Sequence, residues 1–161
     1  MTSAGLGDDS PLYFEDIPLK QVFRSTGRTI TEADIVAFAG LSADYNPLHV
    51  DEHYAAATPL GGRVAQGLLV LAIATGLTTR LPIYARIGTS VRGLRTVNCS
   101  WPQPTRIGDT LYGELQYTEA NFSGDSELGE ATLWRNALNQ DGAVVMQSQW
   151  KVLMLRRPKA D

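Results

Sequence analysis

The sequence predicts a single α+β domain in which an antiparallel β-sheet curls around one long apolar helix. A chain of 161 residues suits one hydrophobic core and is too short for two ordinary domains. A nearly uninterrupted apolar run covers residues 67–77, and from Thr89 onward strand-like segments follow one another through short turns. We assign this domain to residues 11–161 and expect residues 1–10 to be a disordered polar tail.

The composition narrows the range of partners and compartments. The formal net charge is −3 and the basic residues are dispersed, which argues against nucleic acid as a partner. The single cysteine, Cys99, favours a reducing compartment. The polar start of the chain does not resemble a signal peptide, and the apolar run is shorter than the roughly 20 residues of a membrane helix. We therefore expect a cytoplasmic protein that binds no membrane.

The N-terminal elements precede a polar segment at residues 42–51. Residues 11–23 mix apolar side chains with acids and a proline, so only a short strand with an approach loop is expected there. Residues 28–30 are predicted to end a strand. Thr31 is a favourable N-cap, and apolar residues at helical spacing predict a helix that ends at about Gly40.

Two more helices are predicted in the middle of the chain. Asp51 can cap a short helix over residues 52–57. The apolar run extends to a helix over about residues 65–79, which Pro82 closes. Because this helix is apolar nearly all round, we expect other elements to wrap it.

Four strands are predicted in the C-terminal half, over about residues 90–101, 110–121, 130–139 and 143–155. Strands joined by such short connections are antiparallel. Four or five strands cannot close a barrel around a helix, so two sheet edges stay open. Pairing of subunits along an edge would cover it, and we expect a homodimer or a larger homo-oligomer.

Chemically useful side chains concentrate at residues 42–51. Pro47 disfavours helical dihedral angles at Asn46 and lacks a backbone donor, so we expect a fixed irregular turn. Asp44 and His49 form a candidate acid/base pair, because an imidazole titrates near neutral pH and a carboxylate can orient it or share its proton. On local grounds alone, an aspartate that forms a turn and a histidine with a structural hydrogen bond are the favoured interpretation.

The spacing Asp44-x-Asn46-Pro47-x-His49, with Gln66-Gly67 opening the apolar helix, resembles the hydratase motif of the MaoC-like (R)-specific enoyl-CoA hydratases. The resemblance covers most of the chain from about residue 28. It implies a hot-dog fold and reversible hydration of a trans-2-enoyl thioester to the (R)-3-hydroxyacyl thioester. It also implies an acyl group carried on coenzyme A or an acyl carrier protein, with no other cofactor and no metal.

The resemblance also assigns roles to individual residues. It implies that Asp44 is the main base on water and that His49 positions this water and delivers the proton, with the roles exchanged in dehydration. The backbone N–H of Gly67 matches the oxyanion donor, and a helix N-terminus offers unpaired donors. Asn46 either orients the site or serves as a turn residue, and we favour the turn.

Further residues are supporting candidates or departures from the family pattern. Gln66 stands where the family commonly has histidine, and Ala43 replaces a frequent glycine. Thr75 falls where relatives carry a small polar residue, although a threonine inside a helix also bonds back to a carbonyl. The segment 82–88 is a candidate overhang above the acyl pocket.

Two other functions stay open at this stage, since a fold does not fix its chemistry. One is a hot-dog acyl-CoA thioesterase, against which the Asn46-Pro47-x-His49 pattern argues. The other is a non-catalytic acyl-thioester-binding subunit of a heteromeric hydratase. The presence of both Asp44 and His49 argues against this second function.

Overall fold

The computed structural model describes residues 10–122, 124 and 126–158, in which a six-stranded antiparallel sheet packs on one long helix. The helices are α1 (Glu32–Ser42), α2 (Pro47–Val50), α3 (Glu52–Ala56), α4 (Gly67–Thr79) and α5 (Pro82–Ile87). The strands are β1 (Val22–Arg24), β2 (Arg28–Thr29), β3 (Val91–Ser100), β4 (Thr110–Asn121), β5 (Leu128–Leu138) and β6 (Val144–Leu155). The predicted tail lies outside the described residues except for Ser10.

The sheet runs in the order β1-β4-β5-β6-β3, and β2 also pairs with β4. The long strands match the four predicted strands within about two residues. Helix α4 crosses the concave side of the sheet at Gly113, where a β-carbon would lie 3.0 Å from Leu77 Cβ and 3.1 Å from Thr78 Cγ2. A long helix held inside a curved antiparallel sheet is the hot-dog fold, so the predicted fold class is confirmed.

Helix α4 is less completely covered than its composition predicts. Its sheet side is buried, but Leu68 is 60% exposed, and Ala72 and Gly76 at one-turn spacing are also exposed. The predicted wrapping by the sheet therefore holds for the buried side of the helix, and this stripe on its other side is exposed. The sheet ends at β3, and no strand beyond β3 in the described chain is available to cover it.

The buried apolar residues form two clusters. The first packs α4, from Leu69 to Leu77, and residues such as Ile35 of α1 against the sheet near Ala137. The second lies under α5 and contains Leu133 and Trp150. Leu71 of α4 packs against both clusters.

Helix α1 continues two residues beyond its predicted end. Thr31 caps it as predicted, because its side chain accepts a hydrogen bond from the backbone N–H of Asp34. The helix passes through Gly40 to Ser42, and Ala43 then adopts a left-handed conformation with φ of 59°. The prediction of Gly40 as the C-cap is wrong, because the chain reverses three residues later.

Two prolines begin helices that the sequence analysis did not predict. Pro47 starts α2 and Pro82 starts α5, each at the first helical turn, where the missing N–H costs nothing and the fixed φ is favourable. Residues 42–51 are thus not irregular throughout. Among the described residues no single helix has the length and apolarity to cross a membrane, although α4 and residues 82–90 together meet that test with a bend of 80°.

Candidate active site

The short helix α2 fixes the direction of the His49 side chain. Asn46 caps this helix by accepting a hydrogen bond from the backbone N–H of Leu48 at 3.0 Å. The favoured assignment of Asn46 to a structural role agrees with this contact. One turn of helix then carries His49 toward the segment that precedes α4.

The carbonyl of Val64 fixes the protonation pattern of the His49 ring. Nδ1 of His49 lies 2.8 Å from Val64 O. Because a carbonyl oxygen only accepts, Nδ1 must carry a hydrogen and donate it. The neutral ring therefore presents an unprotonated Nε2 on its other side, where a proton can be taken up and released.

Asp44 faces this free nitrogen across a gap. Its Oδ2 lies 3.9 Å from His49 Nε2, which is too long for a direct hydrogen bond. One water molecule at hydrogen-bond distance from both atoms would fit this separation. The Asp44 side chain is 47% exposed and that of His49 is 13% exposed, so the pair opens toward solvent from the Asp44 side.

Ala43 sets the position of Asp44 through an unfavourable backbone conformation. Its φ of 59° lies in the region that glycine tolerates at little cost and alanine does not. This geometry gives a physical reason for the glycine that the family frequently carries there. With alanine in place of this glycine, the turn keeps its shape, but residue 43 is strained next to the candidate base Asp44.

Gly67 begins α4 beside the acid/base pair, since Val64 and Gly67 are three residues apart. The first N–H groups of a helix have no partner inside it, and no side chain in the described residues caps α4. A β-carbon on Gly67 would lie 3.0 Å from the Trp101 ring, whose Nε1 donates to Gly67 O at 2.8 Å. Glycine thus places no side chain of its own beside this N–H group, and the Trp101 ring lies where a β-carbon would be.

An open cleft of about 290 Å³ adjoins this helix terminus. Gly67, Val70 and Trp101 line one part of it, and residues 102–105 line another. A ligand in the cleft would contact mainly apolar side chains and have the α4 donors at one end. Gly67 lines this cleft, whereas Asp44 and His49 are not among its lining residues.

Two predicted supporting residues do not contact the pair. Gln66 is 1% exposed and donates from Nε2 to Ile35 O at 3.3 Å, so it ties α4 to α1. Thr75 donates to Leu71 O at 2.8 Å and lies about 12 Å along α4 from Gly67. The structure brings Asp44 and His49 within 3.9 Å of each other, and α4 begins at Gly67, three residues after the Val64 carbonyl that holds His49.

Arg63 is a supporting residue that the sequence analysis missed. It donates to Glu32 at 2.9 Å and to Glu52 at 3.0 Å, and it thereby links α1 and α3 to the residue before Val64. These hydrogen bonds, to Glu32 and then Glu52, raise the pKa of Arg63 above its ordinary value. Its partners are distant in sequence, so no local spacing identifies it. The sequence analysis also missed Trp101. Its position directly after a strand is the only feature of the sequence that could have suggested a role for it.

The comparisons with known proteins identify the family of the chain. The family model described as MaoC like domain matches residues 14–134. The chain belongs to the MaoC-like family. This match begins before residue 28, the approximate start of the resemblance described in the sequence analysis. It includes every residue of the candidate site.

Characterised relatives of this MaoC-like chain carry the names of hydratases and dehydratases. It is 41% identical over 107 residues to an (R)-specific enoyl-CoA hydratase of Rhodospirillum rubrum, with 66% of this chain and 69% of the relative covered. It is 36% identical over 111 residues to a 3-hydroxybutyryl-CoA dehydratase of Methylorubrum extorquens, with 67% of this chain and 65% of the relative covered. The match thus spans just under two thirds of that second relative.

A solved structure supports the same assignment of the fold. The MaoC-like dehydratase from Rhodospirillum rubrum superimposes with a TM-score of 0.81 and 33% sequence identity. The superposition covers 92% of this chain and 99% of that one. The MaoC-like chain therefore shares nearly the whole hot-dog unit with this neighbour.

Proposed function

We propose that the protein catalyses reversible hydration of a trans-2-enoyl thioester to the (R)-3-hydroxyacyl thioester. The observation that carries the proposal is the 3.9 Å gap between Asp44 Oδ2 and His49 Nε2, next to the uncapped start of α4. A water molecule in this gap would contact both an acid and a base. The names of the relatives as enoyl-CoA hydratase and 3-hydroxybutyryl-CoA dehydratase support the same reaction class.

The proton path of the proposal follows from the hydrogen bond to Val64. Nδ1 is occupied, so only Nε2 of His49 can give a proton to the substrate, and it can do so only from the imidazolium. In hydration, Asp44 takes a proton from water, the oxygen of that water bonds to C3, and His49 Nε2 gives its proton to C2. Asp44 is then protonated and His49 neutral, and transfer of one proton between them restores the pair. Dehydration runs the same steps backward.

The start of α4 would stabilise the enolate that forms when water adds at C3. Its oxygen would accept a hydrogen bond from the backbone N–H of Gly67 at the positive end of the helix dipole. A donor of this kind is worth about 3 to 4 kcal/mol of transition-state stabilisation. Because residue 67 is a glycine, no side chain of its own would stand between this N–H and the thioester.

The assembly we propose is a homodimer that pairs along β3. Strand β3 has a partner, β6, on one side only, and α4 carries an exposed stripe that begins at Leu68. A second copy that pairs along β3 would cover its open edge, and the stripe offers a further surface for association. The carrier, coenzyme A or acyl carrier protein, and the cytoplasmic location remain predictions.

A panel of enoyl-CoA substrates with chiral analysis of the product tests the proposal. Crotonyl-CoA or a longer enoyl-CoA should lose its conjugated absorbance and yield the (R)-alcohol, and Asp44→Asn should lower kcat at least about a thousandfold without loss of folding. Absence of hydration across a broad panel would reject the proposal. Release of free thiol instead would identify the thioesterase alternative.

A further inference from the structure

A buried cation in the second apolar cluster has no part in the chemistry described above. Arg135 lies on the helix-facing side of β5 and is 3% exposed. Its guanidinium packs between two rings, with its central carbon 4.4 Å from the centroid of Trp150 and 5.5 Å from that of Tyr84. In the described part of the chain, no carboxylate lies within ion-pair distance of Arg135, and its Nε lacks a hydrogen-bond partner.

A second donor without a partner lies close to this guanidinium. Tyr117 on β4 is fully buried, and its hydroxyl has no hydrogen-bond partner among the described residues. Burial and the neighbouring Tyr84 raise the pKa of Tyr117 far above its ordinary value, against the opposing charge of Arg135. The hydroxyl therefore keeps its proton, and both Arg135 and Tyr117 have an N–H or O–H to donate.

Burial of these two donors destabilises the fold unless another group accepts hydrogen bonds from them. A guanidinium removed from water and left without an anion is destabilising, and contact with aromatic rings compensates its charge but not its N–H groups. A carboxylate is the group that satisfies the site best, because it carries the opposite charge and accepts at both oxygens. The described residues supply no such group, so the structure points to a ligand.

The position of the cluster connects it to the candidate active site. Leu71 lies one helical turn beyond Gly67, about 6 Å along α4, and packs against the cluster that contains Trp150. Tyr84 belongs to α5, the segment expected to overhang an acyl pocket. Leu71, Tyr84 and Val97, which pack against this cluster from α4, α5 and β3, are only half-buried, so solvent reaches part of its margin. An acyl chain that starts at Gly67 and follows α4 would lead toward Arg135.

We propose that Arg135 and Tyr117 bind the distal carboxylate of the acyl group, so that the substrate is a short dicarboxylic enoyl thioester. The proposal rests on the proposed function for the placement of the thioester at Gly67. The carboxylate would pair with the guanidinium and accept from the Tyr117 hydroxyl, while Trp150 and Tyr84 exclude water from the pair. An apolar chain of equal length would leave both donors without partners.

Binding of two unreactive ligands tests this inference without turnover. Adipyl-CoA and its ω-methyl ester differ at the distal carboxyl group, which is an anion in the first and a neutral ester with one added methyl group in the second, and calorimetry gives the Kd of each. The wild-type protein should bind the free acid at least about tenfold more tightly, as expected for hydrogen bonds to a charged group. Equal Kd values in the wild-type protein would overturn the inference, and this comparison does not depend on any variant.

Variants locate the effect. Arg135→Met should abolish the preference for the acid and should stay folded, because methionine fills a similar volume and removes an unpaired charge. Arg24→Met removes an exposed arginine that also lies over an aromatic ring, 4.9 Å from the centroid of Tyr112, and should keep the preference. Loss of the preference in Arg24→Met, or its survival in Arg135→Met, would contradict the assignment.

Turnover of dehydroadipyl-CoA and its ω-methyl ester separates the two proposals. Hydration of the free acid with the higher kcat/KM supports both. Tighter binding of adipyl-CoA with no hydration of either enoyl ligand or of any other enoyl-CoA in the panel would reject the proposed function and leave the carboxylate site standing. Equal kcat/KM for acid and ester, together with equal Kd values, would reject the carboxylate site and leave the hydratase function standing.

Discussion

Replacement of Gly67 by alanine should separate catalysis from stability. The added β-carbon would lie 3.0 and 3.3 Å from atoms of the Trp101 ring, so the ring must shift by a few tenths of an ångström. Trp101 is 40% exposed and has room to move, but its hydrogen bond to Gly67 O would weaken. The methyl group would also narrow the approach of a thioester to the N–H of the same residue.

The expected change in stability is small because two contributions oppose each other. Alanine gains up to about 1 kcal/mol over glycine in a helix, and loss of the Trp101 hydrogen bond costs about 0.5 to 1.5 kcal/mol. The free energy of unfolding should therefore change by no more than about 1 kcal/mol. Impaired oxyanion stabilisation, in contrast, lowers kcat by about a hundredfold to a thousandfold.

Hydration of crotonyl-CoA and thermal unfolding would be measured on the same Gly67→Ala preparation. Gly40→Ala serves as the matched control, because Gly40 is an exposed residue of α1 whose β-carbon would have only one neighbour, Tyr45 Oη at 3.9 Å. The control should gain stability and keep its activity. A Gly67→Ala protein with kcat within threefold of wild type would refute the role of this helix terminus.

Three further predictions concern the surroundings of the site. Ala43→Gly should raise the free energy of unfolding by up to about 1 kcal/mol in a denaturant titration, because relief of the left-handed strain outweighs the added chain entropy, and a loss of stability would refute the strain. Arg63→Met should lower kcat by up to about a hundredfold with an unchanged circular dichroism spectrum, since Val64 would no longer be held against His49; Lys151→Met, which breaks only the exposed pair with Glu130, is the control and should leave kcat unchanged. Burial raises the pKa of Asp34, but hydrogen bonds from Thr31 and the charge of Arg28 outweigh burial and hold this pKa below its ordinary value. The ionised Asp34 therefore stabilises the folded protein above the pKa of the unfolded chain, and this stabilisation is lost as the pH falls through the lower pKa of the folded protein. In an acid titration, Asp34→Asn should lose stability less steeply than wild type over that pH range.

Sequence patterns predicted the fold well because its parts follow local rules. The period of two in β6 predicted the buried side that carries Ser148, Trp150 and Val152, and the unbroken apolar run predicted α4. Boundaries were less predictable, because they depend on single backbone conformations. Nothing in the residue type of Ala43 indicates a positive φ, so the end of α1 was misplaced.

The candidate site was predictable where its residues are close in sequence. Asp44 and His49 lie within one turn and its following helix, so their separation is set locally. Arg63 was not predictable, because Glu32 lies 31 residues before it and meets it only through the packing of α1. The same holds for Arg135, whose burial against Trp150 follows from the pairing of β5 with β6 and from the position of α5.

Substitutions in the two interior clusters should have different consequences during evolution. The cluster near Ile35 supports the start of α4 and hence the acid/base geometry, whereas the cluster near Trp150 surrounds the space beyond Leu71. Substitutions in the second cluster can alter which ligand is accommodated while the first keeps the reacting groups in place. A library confined to residues around Arg135 should therefore yield folded variants that differ in ligand preference more than in catalytic mechanism.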